Sequence, residues 1–526
     1  MDAIRIENLR SLTDTGFVEL KPLTLLVGQN SSGKSSFLRF FPLLRQSVEA
    51  RTSAPISWYG RLVDFGSFQE ALNRTSGKKD ITLHFRLHME RVGSRRKDVF
   101  ENTPILENLN VSLALRLSED KTQEGYYTKS CYISFADHQI KIELNSSSNI
   151  QTFQVNAFNV LDDIKNQLFD NRAGYFLPSA EVKFSNSHPE EFSFHLNNLR
   201  IELYRSGLSM VKNYVHPLIN KEKIDLIASH IGVGYSEKML KHMKANSFGI
   251  KTWNKRISRW TTASEDFISL TDRVVARMAI ELLEELDFYF HNLGANIRYI
   301  APVRATAERY YRVQDLDLNE IDSRGQNLAM LLKSLKKTDQ KHFENWTQKH
   351  FGFILQARSS PGHISLNIKH SVAAEDFNLA DTGFGYSQVL PILIQLWFLT
   401  TKRQTPKRAI YRNLIIRLPL IFAIEQPELH LHPGLQAKLA DVFIAAIKLA
   451  KERKIDLRLI IETHSEVIIN RIGHQIADKN LNHKDVNTVL FEADSSALST
   501  KVSFSTYDDD GFLNNWPIGF LEPDML

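Results

Sequence analysis

The stretch Gly28-Gln29-Asn30-Ser31-Ser32-Gly33-Lys34-Ser35 constrains this chain more than any other, because it matches G-x-x-x-x-G-K-[ST] at every defined position. The apolar run Leu23-Thr24-Leu25-Leu26-Val27 leads into it, and Ser36-Phe37-Leu38-Arg39-Phe40-Phe41-Pro42-Leu43-Leu44 follows with helical character. Strand, glycine-rich loop and helix form the setting in which this pattern cradles phosphates. Gly28 and Gly33 permit backbone angles that turn successive N–H groups inward. The loop residues Gln29, Asn30, Ser31 and Ser32, with Ser36 at the helix start, are therefore candidates to surround a triphosphate. Lys34 is expected to reach the β and γ phosphates, and the Ser35 hydroxyl to hold Mg²⁺. The pattern predicts an α/β fold with a nucleoside triphosphate site.

Composition removes several alternatives. The 526 residues are 43% apolar and 24% charged, enough for a sizeable core and for two to four domains at roughly 150 residues each. A balance of 65 Lys+Arg against 60 Asp+Glu, net +5, permits nucleic-acid contact without arguing for it. Cys131 is the only cysteine, which rules out an intramolecular disulfide, a Cys-based zinc site and a zinc hook. Apolar runs such as residues 418–424 are far shorter than a membrane span, and Met1-Asp2-Ala3-Ile4-Arg5 opens directly into strand-like alternation. A cytoplasmic protein with no membrane partner is expected.

Further stretches qualify the phosphate loop. Residues 4–12 and 16–20 read as a hairpin ahead of it, and no N-K-x-D guanine-reading motif is evident, which favours ATP. The apolar strand Leu420-Ile421-Phe422-Ala423-Ile424 ends in Glu425, a carboxylate placed to hold Mg²⁺ or its water. A second apolar strand, Leu457-Arg458-Leu459-Ile460-Ile461, runs into Glu462-Thr463-His464-Ser465, where His464 is a candidate γ-phosphate sensor. Asp381-Thr382-Gly383-Phe384-Gly385 is a glycine-rich turn opening a helix, a candidate second anion site through Gly383 and Gly385. Gln69 lies in a turn where a further Mg²⁺-contacting glutamine could stand.

These elements, in this order, resemble the ABC-type ATPases of the SMC, RecF and OLD class. Ile424-Glu425-Gln426-Pro427-Glu428-Leu429-His430-Leu431-His432-Pro433 is similar to that class's Walker B and D-loop, and Glu462-Thr463-His464-Ser465 to its H-loop. Arg10 stands in the entry strand's N-[FL]-R-S pattern, a nucleotide-contacting position, and the Gly383/Gly385 turn stands at the signature position. Tyr299-Ile300-Ala301-Pro302-Val303-Arg304, then Glu308-Arg309-Tyr310-Tyr311, and the ending from Asp510-Gly511 through Trp516-Pro517 to Gly519-Phe520 resemble the PtuA-like ATPases of Septu anti-phage systems, also found as retron accessory proteins. The resemblance covers residues 1–75 and 295–526. It implies ATP sandwiched between two heads, with the signature glycines of one chain facing the phosphates of another, hence a homodimer or higher homo-oligomer. It also implies a separate HNH nuclease partner and, in a retron setting, a reverse transcriptase with its RNA–DNA hybrid. A TOPRIM nuclease domain of the OLD kind is not expected in the 62 residues that follow His464.

One departure bears on catalysis. Where the family often carries a water-polarising glutamate, this chain has Gln426, and a carboxamide cannot serve as a general base. Either Glu428 takes that role or hydrolysis is slow and ATP acts mainly as a conformational ligand.

The expected organisation is an ATPase head split between residues 1–75 and 296–526, with a mixed sheet flanked by helices. A β-rich lobe at 76–190 and a helical insert at 191–295 interrupt it. Residues 81–87, 111–117, 126–135 and 140–144 alternate as strands, and 264–293 has helical spacing with room for only a few heptads. Lys238, Lys241, Lys244, Lys251, Lys255 and Arg256 could touch nucleic acid, although a solvated or partner-binding face is the plainer reading. Asp508-Asp509-Asp510 reads as a turn, and the basic runs 91–97 and 402–408 as solvated loops. Two rivals stand beside the defence reading: a RecF-like repair ATPase that binds DNA itself, and a nucleotide-gated scaffold with negligible turnover.

Overall fold

A computed structural model of the chain describes residues 1–50, 55–92, 106–120, 125–164, 168–169, 176–179, 181–182, 192–246, 248–313, 320–370, 375–401, 410–411, 414–415, 418–494 and 499–517. Most of the basic run 91–97, all of the run 402–408 and the last three residues of the ending Asp510–Phe520 lie outside the described residues.

A 16-stranded sheet dominates the described residues, and its two halves are built on different rules. One half is parallel, in the order Val486–Asp494, Leu23–Gly28, Leu457–Glu462, Leu420–Glu425, Ile297–Ile300. The phosphate-loop strand Leu23–Gly28 and the acid strand Leu420–Glu425 are buried at every residue, as their unbroken apolar runs require of parallel strands covered on both faces. Leu26 joins the core on one side of the sheet, while Leu23, Leu25 and Val27 join the core on the other. Side-chain alternation along the strand thus packs a helical layer against each face.

The other half is an antiparallel wing. From Ala3–Leu9 the sheet continues through Asp80–Val92, Leu106–Asp120, Gly125–Phe135, His138–Leu144 and Ile150–Val155. The alternating stretch expected as a lobe beside the head is thus a continuation of the head's own sheet, joined by the register Ala3↔Arg86 through Glu7↔Thr82. The short strand Leu12–Asp14 bridges the halves, antiparallel to Ala3–Leu9 and parallel to Ser499–Tyr507. The fold is mixed α/β, a large mixed sheet flanked by helices.

The long helix Glu265–Ala295, about 46 Å at 1.5 Å per residue, links this sheet to a helical lobe. Near its C-terminus Phe290 packs on Phe85 and Phe176, with ring centroids 4.8 and 4.6 Å apart. Near its N-terminus Phe267 and Leu270 join a separate small core with Trp253, Trp260, Met239 and Met243. Phe192–Tyr214 runs alongside it, and Lys221–Ser229, Ser236–Ala245 and Lys251–Ile257 complete the lobe. The insert is compact, with no extended coiled-coil arm among the described residues. Among them, no helix is long and apolar enough to cross a membrane. The most apolar one, Phe384–Thr401, has its residues 387–400 buried in the protein core.

Candidate functional site

Parallel strands present their C-terminal ends along one edge, and functional side chains gather there. Gly28 ends the phosphate-loop strand with φ 156°, and a Cβ on it would stand 2.1 Å from the Phe491 carbonyl of the neighbouring strand. Gly33, at φ 94°, leaves no room either: its Cβ would meet Ser11 Oγ at 2.7 Å and Leu12 Cδ2 at 2.8 Å. Gly28 is therefore fixed by close backbone approach and Gly33 by packed side chains, each as well as by conformation. Gln29, Asn30 and Ser31 are exposed along the loop, Ser32 is buried, and Ser36 is half-buried at the start of the helix Lys34–Leu38. Lys34 Nζ donates to the carbonyls of Gly28 at 2.9 Å and Gln29 at 2.5 Å. Burial holds its pKa below the usual lysine value, against the opposing pull of Glu462 and then Glu428.

The carboxylates divide their work in a way the sequence did not disclose. Glu425 and Glu462 are register partners on adjacent parallel strands, so they stand side by side. Glu425 is engaged by Arg39, whose Nε and Nη2 each donate at 2.8 Å, and by the Tyr299 hydroxyl at 2.7 Å. Ser35 Oγ donates instead to Glu462 Oε1 at 2.8 Å. Burial, and then the adjacent Glu425 carboxylate, push Glu462 up to about 7. Its second oxygen is buried with no hydrogen-bond partner. An orphaned carboxylate oxygen beside a serine hydroxyl and the loop lysine is a hard-oxygen donor set that suits Mg²⁺, which takes one or two protein ligands and draws the rest from water and phosphate. Among the described residues no cluster of three or more His, Cys, Asp or Glu could hold a metal unaided.

The loop after the acid strand is held in a tight shape. Gln426 takes φ 41° and His430 φ 61°, both left-handed for residues with a Cβ. Gln426 is half-buried, and its amide donates to the Glu462 carbonyl at 2.9 Å. The Glu428 carboxylate accepts from the His464 amide at 2.7 Å, while burial raises its pKa. The half-buried His464 has its pKa lowered by burial and then by Lys34. Arg304, buried at 2% exposure, donates to the carbonyls of Glu425 at 2.7 Å and Gln426 at 3.3 Å. The Arg304 carbonyl in turn accepts from Gln388 on the helix Phe384–Thr401, at 3.3 Å.

The remaining predicted residues stand apart from this cluster. Gly383 and Gly385 open the helix Phe384–Thr401, with Gly385 close to the His430 carbonyl, Phe384 edge-on to the His430 ring and Asp381 ion-paired to Arg309. Gln69 lies in the one-turn helix Phe68–Ala71, where its amide donates to Glu119 of the wing at 3.3 Å. Arg10 has φ 52°, lies 4.5 Å over the Phe65 ring and donates to the Asp64 carbonyl at 3.1 Å. It lines an open cleft of about 610 Å³ with Ser11, Asp64, Phe65, Glu70 and Arg74. Ser11 borders Gly33, so the cleft opens beside the phosphate loop. The Asp508–Asp510 run serves a turn: Asp508 Oδ1 accepts the Asp510 and Phe512 amides at 3.0 and 2.9 Å.

Sequence reasoning passed over Glu462 and Arg39. The apolar strand ending at Glu462 carried the signal, but only strand register sets it beside Glu425. Arg39 lies one helical turn beyond Ser35, a spacing that pointed to the same face.

A family model described as an AAA ATPase domain matches residues 1–469. Similar solved structures include an Smc head domain with an extended coiled coil from Pyrococcus furiosus, bound to the C-terminal domain of ScpA. It is 9% identical over 96% of this chain and 96% of that one, with a TM-score of 0.28. An SMC head domain from Thermotoga maritima is 8% identical over 96% of this chain and 98% of that one, with a TM-score of 0.33. No curated protein matches the chain.

Proposed function

The chain belongs to the AAA ATPase domain family, and from that premise we propose that it binds ATP and Mg²⁺ at the parallel sheet edge and acts as the nucleotide-controlled subunit of an anti-phage complex. The observation that carries the nucleotide part is the Ser35–Glu462 hydrogen bond at 2.8 Å beside Lys34. Lys34 and the loop amides bind the triphosphate, and the Arg10 cleft takes the nucleoside end. Ser35 and Glu462 hold Mg²⁺, with Glu425 behind them held still by Arg39 and Tyr299. Mg²⁺, when bound, supplies positive charge against the β and γ phosphates. His464, close enough to Lys34 to feel its charge, orients toward the γ-phosphate end. Glu428, not Gln426, is the carboxylate offered to the attacking water, and burial raises its pKa, which favours proton acceptance. Turnover is slow because Gln426 stands where the family often carries its glutamate. The signature glycines face a second copy in an ATP-bridged homodimer, and Arg304 ties their helix to the acid loop.

The defence role rests on the likeness of residues 299–311 and 510–520 to PtuA-like ATPases, with the cutting done by a separate HNH nuclease chain. The test is to search the neighbouring genes for an HNH protein, co-express it with this chain and measure co-purification and phage plating. A complex that forms with the wild type, and a defence phenotype lost with Lys34→Ala, are expected. A lone gene with no such partner, or protection unaffected by Lys34→Ala, would contradict the reading.

A further inference from the structure

Residues 211–264, most of the helical lobe, carry a marked surplus of positive charge. Residues 211–264 contain ten Lys or Arg and three Asp or Glu, a net of +7, whereas the whole chain nets +5, so everything else nets −2. All ten of these basic residues are exposed. Among the described residues, only Arg256 of the ten is in an ion pair, with Asp266 at 2.9 Å. Cations placed to stabilise a fold are ordinarily paired or lie against carbonyls; most of these do neither.

Their arrangement is ordered by the helices that carry them. Ser236–Ala245 buries Met239 and Met243, which turns Lys238 and Lys241, three residues apart, outward. Lys251–Ile257 buries Trp253 and Ile257, which turns Lys251 and Lys255, four apart, outward. The two helices pack on each other, and Arg259 follows them. One helical turn rises about 5.4 Å, close to the spacing of successive phosphates along an extended strand. Tyr235, just before the first of these helices, is 55% exposed, with Lys238 Nζ 5.7 Å from its ring. The wing holds the backbone on either side of it: the Asp137 carboxylate accepts the Ser236 amide at 3.1 Å, and the His138 ring meets the Gly234 carbonyl at 2.8 Å. Basic stripes beside an exposed aromatic on an anchored turn are what a single-stranded nucleic acid needs, cations for its phosphates and a flat face for a base.

We propose that the helical lobe at residues 211–264 is a docking surface for single-stranded nucleic acid, with Lys238, Lys241, Lys251 and Lys255 on the backbone and Tyr235 under a base. The proposal does not rest on the ATP site, and its assay contains no ATP, so either can fail alone. Fluorescence anisotropy of the full chain with a labelled 20-nucleotide single strand, in DNA and RNA forms, against its duplex and against poly-glutamate, is the test. Binding should fall with salt, and replacing the four lysines with glutamate should weaken it at least tenfold and flatten the log–log salt slope by about 3. Tyr235→Ala should cost roughly tenfold. The four-arginine variant should bind as the wild type does, and an unchanged thermal melt keeps misfolding out of the result. Binding that survives the four glutamates, tighter binding of the duplex, or equal binding of poly-glutamate would overturn the proposal.

Discussion

The parallel sheet edge and the helical lobe both gather charge, and they treat it in opposite ways. At the sheet edge the charges are buried and matched: Glu425 with Arg39 and Tyr299, Glu462 with Ser35, Glu428 with the His464 amide. In the lobe they are exposed and mostly unmatched. Buried ions cannot remain uncompensated, so each must have a named partner, and the atoms left over mark where something further binds. Exposed lysines cost nothing to leave free, so only their excess over the rest of the chain carries information. A leftover oxygen on Glu462, beside Ser35 and Lys34, therefore says as much as a whole set of mostly unpaired cations in the lobe.

The sharpest way to break the comparison is at Lys34. Lys34→Ala should lower ATP affinity at least ~100-fold, since it removes a charge-assisted contact in a largely buried site. Titration with a fluorescent ATP analogue measures it, and an affinity within a few-fold of wild type would mean the loop lysine is structural. Next comes the matched pair. Arg39→Ala leaves the Glu425 carboxylate buried beside Tyr299 alone and should cost ~3–5 kcal/mol in urea unfolding. Tyr299→Phe should cost only ~1 kcal/mol, because the arginine remains. If the two variants are equally stable, Glu425 is not held as described.

Gln426→Glu sharpens the catalytic part. It places a carboxylate where the resemblance expects one, and phosphate release should rise about tenfold or more. No rise would mean that a carboxylate at position 426 adds nothing to Glu428 and that the glutamine is not what slows turnover. The smallest expected effect concerns Cys131, fully buried in the strand Gly125–Phe135, where burial pushes its thiol up to about 12. A thiol reagent at pH 8 should label the native wing far more slowly than the unfolded chain. Rapid native labelling would show that the wing opens independently of the parallel half.

What could be read ahead of the structure follows from how local each signal is. The phosphate loop was legible because its eight residues fold against their own flanks. Leu420–Glu425 and the helix Glu265–Ala295 were legible through unbroken apolar runs and three- and four-residue spacing. Partnerships set by register across long sequence separations were not. Glu462 stands beside Glu425 only because residues 420–425 and 457–462 pair in parallel, and nothing local announces that alignment. The wing's alternation predicted strands, but its fusion with the head depends on Ala3 meeting Arg86. Arg304 appeared in the sequence only as part of a resemblance. Its hold on the Glu425 and Gln426 carbonyls emerges from burial.

The central claim is that Glu462, with Ser35, forms the metal-side contact of the nucleotide site while Glu425 acts through Arg39 and Tyr299. ATP titrations with and without Mg²⁺, run on the wild type, Glu462→Gln and Glu425→Gln, test it most directly. The account predicts that Glu462→Gln abolishes most of the Mg²⁺-dependent gain in affinity, while Glu425→Gln keeps that gain and loses stability. An intact Mg²⁺ effect in Glu462→Gln, together with its loss in Glu425→Gln, would contradict it.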